Sequence, residues 1–433
     1  MQEIDRLEKD QQYMKIALDL AKRGIARVSP NPLVGAVIVK DDQIIGKGYH
    51  EKYGGLHAER NAIKDYKNRA INDPNLTIEG ATMYVTLEPC CHYGKTPPCT
   101  EAIIENKIKR VVVASLDPNP LVAGKGVKIL EEVGIEVDIG VLKDEADRQN
   151  RIFRHYIKNK RPLVTMKYAM TMDGKLATHT GKSKWITGHD ARRRVHLDRL
   201  RNMAIMVGVG TVLADDPSLN CRLEDFDGFD KIKKDYSIEG LRNPIRVVVD
   251  SSLRTPFNSK IVTSAKDIKT IIFTISEDME KIRAYEDRDC IVIKTKKKLY
   301  RSIGKKQVQI GQEIQMDQDG HKYQEYQVYQ ERQGERFVVD LEDLVEILGQ
   351  MGIDSILLEG GSQLNFSALE SGIVDRVQAY IGPKIFGGEK AKSPIGGIGV
   401  DLPEDAYILE NIEFDSVGKD ILLEGDLVKC SQG

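Results

Sequence analysis

Cysteine and tryptophan are scarce: six Cys and one Trp in 433 residues. Three of the six cysteines crowd into Cys90–Cys99, which excludes a disulfide framework and points to a reducing, cytoplasmic setting. No apolar run approaches the ~20 residues of a membrane span, so no membrane partner is expected. The start, Met1-Gln2-Glu3-Ile4-Asp5, is acidic and polar rather than signal-like. Neither sign of charge dominates: 64 Lys and Arg face 66 Asp and Glu, a net charge of −2. That balance leaves no electrostatic footprint for nucleic acid. What is present is 41% apolar and 30% charged residues, the composition of a soluble globular chain. Its length suggests two or three domains at ~150 residues each.

The densest chemistry runs from His57 to Cys99. His57-Ala58-Glu59 opens the stretch, and Pro89-Cys90-Cys91-His92-Tyr93-Gly94-Lys95-Thr96-Pro97-Pro98-Cys99 closes it. One imidazole and two thiolates hold zinc and leave a fourth tetrahedral position for water, as a catalytic site requires. His-x-Glu followed by Pro-Cys and a later Cys is the zinc-deaminase signature. The usual two-residue gap is here eight, between Cys90 and Cys99. Cys91 is the rival ligand, but adjacent cysteines share a small tetrahedron poorly. His57, Cys90 and Cys99 are therefore the expected ligands. Glu59, two residues past the histidine, is the expected proton carrier. A structural metal site is the competing explanation, yet it gives neither Glu59 nor Pro89 a role. Zinc lowers the pKa of bound water toward ~7, and a carboxylate that moves its protons adds typically ~10²–10⁴-fold. The product carries a carbonyl where an amine stood.

Residues 11–24 have helical apolar spacing closed by Gly24. Val34–Val39 and Gln43–Tyr49 read as a hairpin about Lys40-Asp41-Asp42. His57–Ile63 opens a helix, Ala81–Leu87 is a buried strand, and Thr100–Asn106 starts a helix whose dipole favours thiolates at its N-terminus. Arg110–Ser115 is a strand and Val127–Glu132 a helix ended by Gly134. This alternation predicts an α/β sandwich. Lys143–Lys160 reads as one charged helix broken by Arg161-Pro162, which places a boundary near 150–160. The expected domains are 1–150 and 160–433.

Beyond the boundary, Leu163–Tyr168 is a strand and Asp190–Asn202 a basic helix. Ala204–Val209 runs into Gly208-Val209-Gly210-Thr211, a strand–glycine–helix junction able to bind a pyrophosphate through backbone N–H groups. Ser355–Leu358 feeds a second one, Glu359-Gly360-Gly361-Ser362-Gln363-Leu364-Asn365. No Gly-x-Gly-x-x-Gly follows a strand, which disfavours an ordinary dinucleotide fold. Two such junctions can still hold a dinucleotide across a sheet. Lys167 and Asp173 are plausible polar groups near a hydride path. Arg192, Arg193 and Arg194 read as a solvated face, and the lone Trp185 as core. Residues 296–336, with nine glutamines between Gln307 and Gln333 and an Asp319-Gly320 turn, read as an inserted hairpin.

Several of these stretches together resemble one family. Ser29-Pro30-Asn31-Pro32-Leu33-Val34-Gly35, His57-Ala58-Glu59, Thr86-Leu87-Glu88-Pro89-Cys90-Cys91-His92, Gly94-Lys95-Thr96-Pro97-Pro98-Cys99 and Asp117-Pro118-Asn119-Pro120-Leu121-Val122-Ala123-Gly124 are similar to the bifunctional deaminase–reductases of riboflavin biosynthesis. The eight-residue gap is normal there. The resemblance implies a cytidine-deaminase-like three-layer α/β domain followed by a dihydrofolate-reductase-like α/β domain. It implies deamination of 2,5-diamino-6-ribosylamino-4(3H)-pyrimidinone 5′-phosphate with Zn2+, then reduction of the ribose to a ribityl chain with NADPH. Asn31 and His50 would touch the pyrimidine, and His92, Lys95, Asp117 and Asn119 the sugar phosphate. Ala169, Trp185, Thr211, Asp215, Ser251, Gly361, Ser362, Gln363, Leu364, Asn365, Phe366 and Ser367 would line NADPH. Ser183, Arg199, Leu219, Arg222 and Glu359 would line the second substrate. Arginine suits a phosphate because it is permanently charged and bonds in pairs. A homo-oligomer is expected. The alternatives are a zinc deaminase carrying a non-reducing C-terminal module, and a deaminase of RNA bases. The second would need a basic face that the overall charge does not offer.

Overall fold

The structure, a computed structural model, describes residues 2–94, 96–120, 122–236, 242–302, 314–316, 322–324 and 334–428. The first sheet has five strands: β1 (Gly35–Lys40), β2 (Gln43–Tyr49), β3 (Thr82–Val85), β4 (Arg110–Val113) and β5 (Glu136–Ile139). Their order is β2-β1-β3-β4-β5. β1 pairs antiparallel with both neighbours, and β3, β4 and β5 run parallel. The β1–β2 hairpin turns on Asp41 and Asp42, both at positive φ (48° and 59°), a region Asp tolerates better than most residues.

Six helices flank this sheet: α1 (Gln2–Ala21), α2 (Ala58–Ala70), α3 (Cys99–Glu105), α4 (Lys125–Glu132), α5 (Lys143–Gln149) and α6 (Arg151–Asn159). Strand residues alternate between the two faces. Ala36, Ile38, Met83, Val85, Val111 and Val113 share a core with Ala58 and Ala62 of α2, Ile103 of α3, Leu130 of α4 and Phe153 of α6. Val37, Val39, Tyr84 and Val112 pack on the other face against Met14, Ala17 and Leu18 of α1. The result is helix–sheet–helix, the expected three layers.

Two expectations differ. The first helix begins well before residue 11, because its polar start is tied by charge rather than by apolar spacing. Arg6 bonds Asp138 at 2.8 Å, Lys9 bonds Asp42 at 2.6 Å, and Asp10 accepts from Arg110 and Tyr84. The stretch 143–160 is two helices. Between them, buried Asn150 spends its side chain on Leu33, accepting from its N–H and donating to its C=O, each at 2.8 Å.

The second sheet has nine strands. These are β6 (Leu163–Thr171), β7 (Ala204–Gly208), β8 (Ile245–Val249), β9 (Thr270–Thr274), β10 (Cys290–Lys294), β15 (Ser355–Leu358), β16 (Arg376–Gly382), β17 (Ile408–Val417) and β18 (Asp420–Val428). Between β10 and β15, β11 (Lys297–Ser302) pairs antiparallel with β14 (Gly334–Val339), and β12 (Ile314–Met316) with β13 (Lys322–Gln324). The expected turn at Asp317–Gly320 lies outside the described residues. The sheet order is β10-β9-β8-β7-β15-β6-β16-β18-β17. The seven strands from β10 to β16 are parallel, and β18 and β17 join antiparallel. Parallel strands buried on both faces read as continuous apolar runs, as Ala204-Ile205-Met206-Val207 does. The flanking helices are α7 (His189–Arg201), α8 (Val209–Asp215), α9 (Phe229–Asp235), α10 (Lys260–Thr263), α11 (Met279–Glu286), α12 (Leu341–Gln350) and α13 (Ser362–Glu370).

α6 bridges the two sheets. Phe153 and Ile157 pack into the first core, and the Tyr156 hydroxyl donates to Gly349 O at the end of α12. Among the described residues no helix is long and apolar enough to cross a membrane.

Candidate active sites

The first site sits at two helix N-termini. His57 is the residue before α2, and Glu59 lies in its first turn. Cys99 begins α3, and its N–H bonds Cys90 O at 3.0 Å, folding the 90–99 loop back on itself. His57 Nδ1 then lies 3.4 Å from Cys90 Sγ and 3.5 Å from Cys99 Sγ. A tetrahedral zinc with ordinary Zn–S and Zn–N bonds requires S···N edges of about 3.6 Å. His57, Cys90 and Cys99 thus form a ligand cluster whose donor atoms all lie within 4.8 Å of one another, and Cys91 is outside it. The donor set also fits a cation chemically. The hydrogen bond from Cys99 and the neighbouring His57 hold the Cys90 thiol down to about 4, while that same pairing and burial push Cys99 up. Thiolate is the form that a divalent ion binds. Burial, and then the Cys90 thiolate, push the Glu59 carboxyl up to about 7.

These groups open onto a cavity of about 350 Å³, lined among others by Asn31, His50, His57, Glu59, Cys90, His92, Asp117 and Asn119. Every expected contact of the deaminase half except Lys95, which lies outside the described residues, and the deeper-lying Cys99 lines this one space. His50 is buried, with its Nδ1–H on Leu56 O at 3.0 Å and its Nε2 accepting from Asn31 Nδ2 at 3.2 Å. That pair of bonds fixes one neutral tautomer, and burial lowers the pKa of the ring. Burial also pushes the Asp117 carboxyl up to about 6. Phe153, Tyr156 and Ile157 line the cavity as well. Sequence reasoning missed these three; their apolar and aromatic spacing inside a charged helix was the available signal.

The second site is built by strand order. β15, late in the chain, inserts between β7 and β6, so the two glycine junctions become neighbours at one sheet edge. A Cβ placed on Gly361 would lie 3.6 Å from Thr211 Oγ1, and one on Gly208 3.6 Å from Leu364. The same insertion joins Arg199 to Glu359, whose carboxylate accepts from Nε and Nη2 at 2.8 Å each. Lys167 on β6 stands 3.8 Å from Glu359. Burial alone would push Glu359 up, but Arg199 and Lys167 outweigh it and hold the group down at about 2. Arg222 donates its backbone N–H to His196 Nδ1 at 3.0 Å. Burial, and then Arg199 and Arg222, lower His196 to about 3. His196 was not foreseen, since nothing in its spacing marks it.

Other expected residues take different places. Leu219 has positive φ (48°) and a buried side chain, so it offers only backbone to a ligand. Asn365 and Phe366 are buried, Asn365 donating to Pro394 O at 3.0 Å. Ser362 donates to Ser393 O, and Gln363 to the Tyr300 hydroxyl. Ser367 is half-buried behind them, and Asp215 is exposed at the last position of α8. Ala169 lies on β6 opposite Tyr380. Ser183 is half-buried in the loop before Trp185, and Ser251 accepts from Val339 N at 3.2 Å.

Two expectations are corrected, and a third residue has a further role. Trp185 is 59% exposed, not core, and the Arg192 guanidinium stacks over its ring at 4.4 Å. The Arg192–Arg194 face is not freely solvated: Arg192 bonds Thr187 O, Arg193 bonds Asp227 O, and Arg194 pairs with Asp198 at 3.7 Å. Asp173 serves as a loop clamp, accepting from the Phe386 and Gly387 N–H groups at 3.1 and 2.7 Å.

Comparison with known proteins agrees with this division. Residues 7–115 match the cytidine and deoxycytidylate deaminase zinc-binding region, and residues 162–423 match the RibD C-terminal domain. The second match disfavours a non-reducing C-terminal module. The chain is 47% identical over 417 residues to the riboflavin biosynthesis protein RibD of Actinobacillus pleuropneumoniae, covering 96% of this chain and 94% of that one. It is 34% identical to RibD of Escherichia coli (strain K12), covering 96% and 98%. Its structure is similar to that of Acinetobacter baumannii RibD (form 1), with TM-score 0.74 and 34% identity over 98% of this chain and 100% of that one. The Thermotoga maritima deaminase/reductase is likewise 34% identical, with TM-score 0.74 and the same coverage. The chain therefore belongs to the RibD family, the bifunctional enzymes of riboflavin biosynthesis that join a deaminase to a reductase.

Proposed function

We propose that the first unit hydrolyses the 2-amino group of 2,5-diamino-6-ribosylamino-4(3H)-pyrimidinone 5′-phosphate, and that the second reduces the ribosyl chain of the product to ribityl with NADPH. The observation that carries the reading is the cluster of His57 Nδ1, Cys90 Sγ and Cys99 Sγ at tetrahedral-edge distances beside buried Glu59. Zn2+ held there supplies a Lewis acid that makes water acidic near neutral pH. Buried Glu59 would hold a proton on its carboxylate and pass it to the ring nitrogen and then to the departing amine. Neutral His50, with Asn31 bonded to it, positions the pyrimidine. Asp117, Asn119 and His92 face the sugar phosphate, with Lys95 as their cationic partner.

In the second unit NADPH supplies the hydride, and the paired junctions at Thr211 and Gly361 suit its pyrophosphate. Arg199 and Glu359 form a fixed, charged wall for the sugar, and half-buried Arg222, held by Asn220 and Asp225, adds a cation for its phosphate. We further propose a homo-oligomer, supported by exposed Ile412 and Phe414 on the edge strand β17, and a cytoplasmic location, supported by the free state of the five described cysteines.

Glu59→Gln tests the division of labour. It should retain zinc and abolish deamination, while reduction of the separately supplied deaminated intermediate continues. Loss of both activities in a zinc-replete, folded variant would overturn it.

A further inference from the structure

Glu88 precedes Pro89-Cys90 and is 3% exposed, yet it is neither metal ligand nor proton carrier. Its carboxylate accepts four backbone N–H groups, two from the 117–124 loop and two from the first turn of α4. Oε2 takes Asp117 N at 3.2 Å and Gly124 N at 2.9 Å, and Oε1 takes Gly126 N at 2.9 Å and Val127 N at 3.3 Å. Its own N–H bonds Ser115 O at 2.9 Å. The packing at this junction is tight: a Cβ on Gly126 would lie 2.1 Å from Pro89 O and 3.3 Å from Glu88 Oε1. The first N–H groups of α4 are thus spent on a carboxylate of the protein itself, where the helix dipole favours one. They are not left over for a substrate phosphate.

We propose that Glu88 is the positioning residue that sets the 117–124 loop, and with it Asp117 and Asn119, at a fixed distance from the metal cluster. Cys90 follows Glu88 by two residues, so one short segment carries a metal ligand at one end and the anchor of the substrate loop at the other. The two ends of a phosphorylated pyrimidine are thereby measured against one rigid strap. The proposal rests on the reading that Asp117 and Asn119 face the sugar phosphate. Glu88 borders the cavity, but both its carboxylate oxygens are taken up by backbone N–H groups, so it acts through the loop.

Glu88→Gln presents an NH2 group to N–H donors and should release the loop. We expect zinc content and reductase activity to stay at wild-type levels. The deaminase KM for the phosphorylated pyrimidine should rise about tenfold or more, with kcat changed less than about threefold. Preference for the phosphorylated over the dephosphorylated substrate should shrink by the same factor. Glu88→Asp keeps the carboxylate but withdraws it by one methylene, so it should reproduce part of the KM effect, and it decides the matter if Glu88→Gln does not fold. An unchanged KM, or a fall in kcat that tracks loss of zinc, overturns the proposal. Asn119→Ala separates the two readings: if it leaves KM and phosphate preference unmoved, the assignment of the loop to the phosphate fails. If it raises KM and the Glu88 variants do not, the role of Glu88 fails.

Discussion

In the first unit most of the candidate ligand and substrate-contact residues line one cavity of about 350 Å³, and His57, Glu59 and Cys99 come from two helix starts. In the second unit the central pair, Arg199 and Glu359, is 160 residues apart in the chain and meets only because β15 inserts between β7 and β6. The first site is local and held by backbone hydrogen bonds to its own loops. The second is long-range and held by buried charge. Hydrolysis at a metal needs a few donor atoms fixed within a bond length, which a tight turn supplies. Gripping an extended dinucleotide and a sugar needs a broad edge, which only a sheet supplies.

The largest expected effect lies in the local site. Cys99→Ser should lose zinc and deamination together, while Cys91→Ser keeps both; metal analysis beside a deaminase assay reads the result. The reverse outcome would mean that the tight 90–99 turn does not select the sulfur. Next in size is Arg199→Ala, which leaves the buried Glu359 carboxylate to Lys167 alone, 3.8 Å away, and should destabilise the second unit by about 3 kcal/mol. Deaminase turnover at temperatures below that transition should persist. Calorimetry checks this, and an unmoved upper transition would show that the charged wall does not support the fold.

A smaller contrast appears with pH, because the two sites carry groups shifted in opposite senses. Unfolded His takes its proton near ~6.5, whereas His196 takes it only at about 3. The unfolded chain gains that proton first, so the second unit loses stability as pH falls from ~6.5 toward 3. Asp117 takes its proton at about 6 in the folded state against ~3.9 unfolded. Its contribution to the first unit therefore rises as pH falls through that window. Melting midpoints between pH 6.5 and 4.5 should show the acid-side loss relieved by His196→Gln and the opposing gain removed by Asp117→Asn. Identical slopes in wild type and His196→Gln would remove the contrast. The smallest effect is optical. NADPH should quench the fluorescence of exposed Trp185, and no quenching at saturating NADPH would place the ring away from the cofactor.

Legibility followed the same division. The hairpin, the helix opened by His57 and the Cys90–Cys99 pairing were visible because each depends on neighbours in the chain. The polar start of α1 was hidden, since ion pairs to Asp138 and Asp42 replace apolar spacing there. The break at Asn150 was hidden because its partner is Leu33, 117 residues away. Trp185 read as core because a lone tryptophan in a soluble chain is usually buried, and Arg192 stacking over it has no periodic signature.

By itself the sequence determined the candidate ligand set, a carboxylate placed beside it and the alternation of helices and strands. Bond reach within a turn and the 3.6 and 2.0 periods are properties of a few consecutive residues. Only the tertiary structure decided that the Glu88 carboxylate accepts four N–H groups from the 117–124 loop and the start of α4, that Arg199 meets Glu359, and that α6 lines the first cavity. Those partners are chosen by strand order and packing, for which local spacing carries no code.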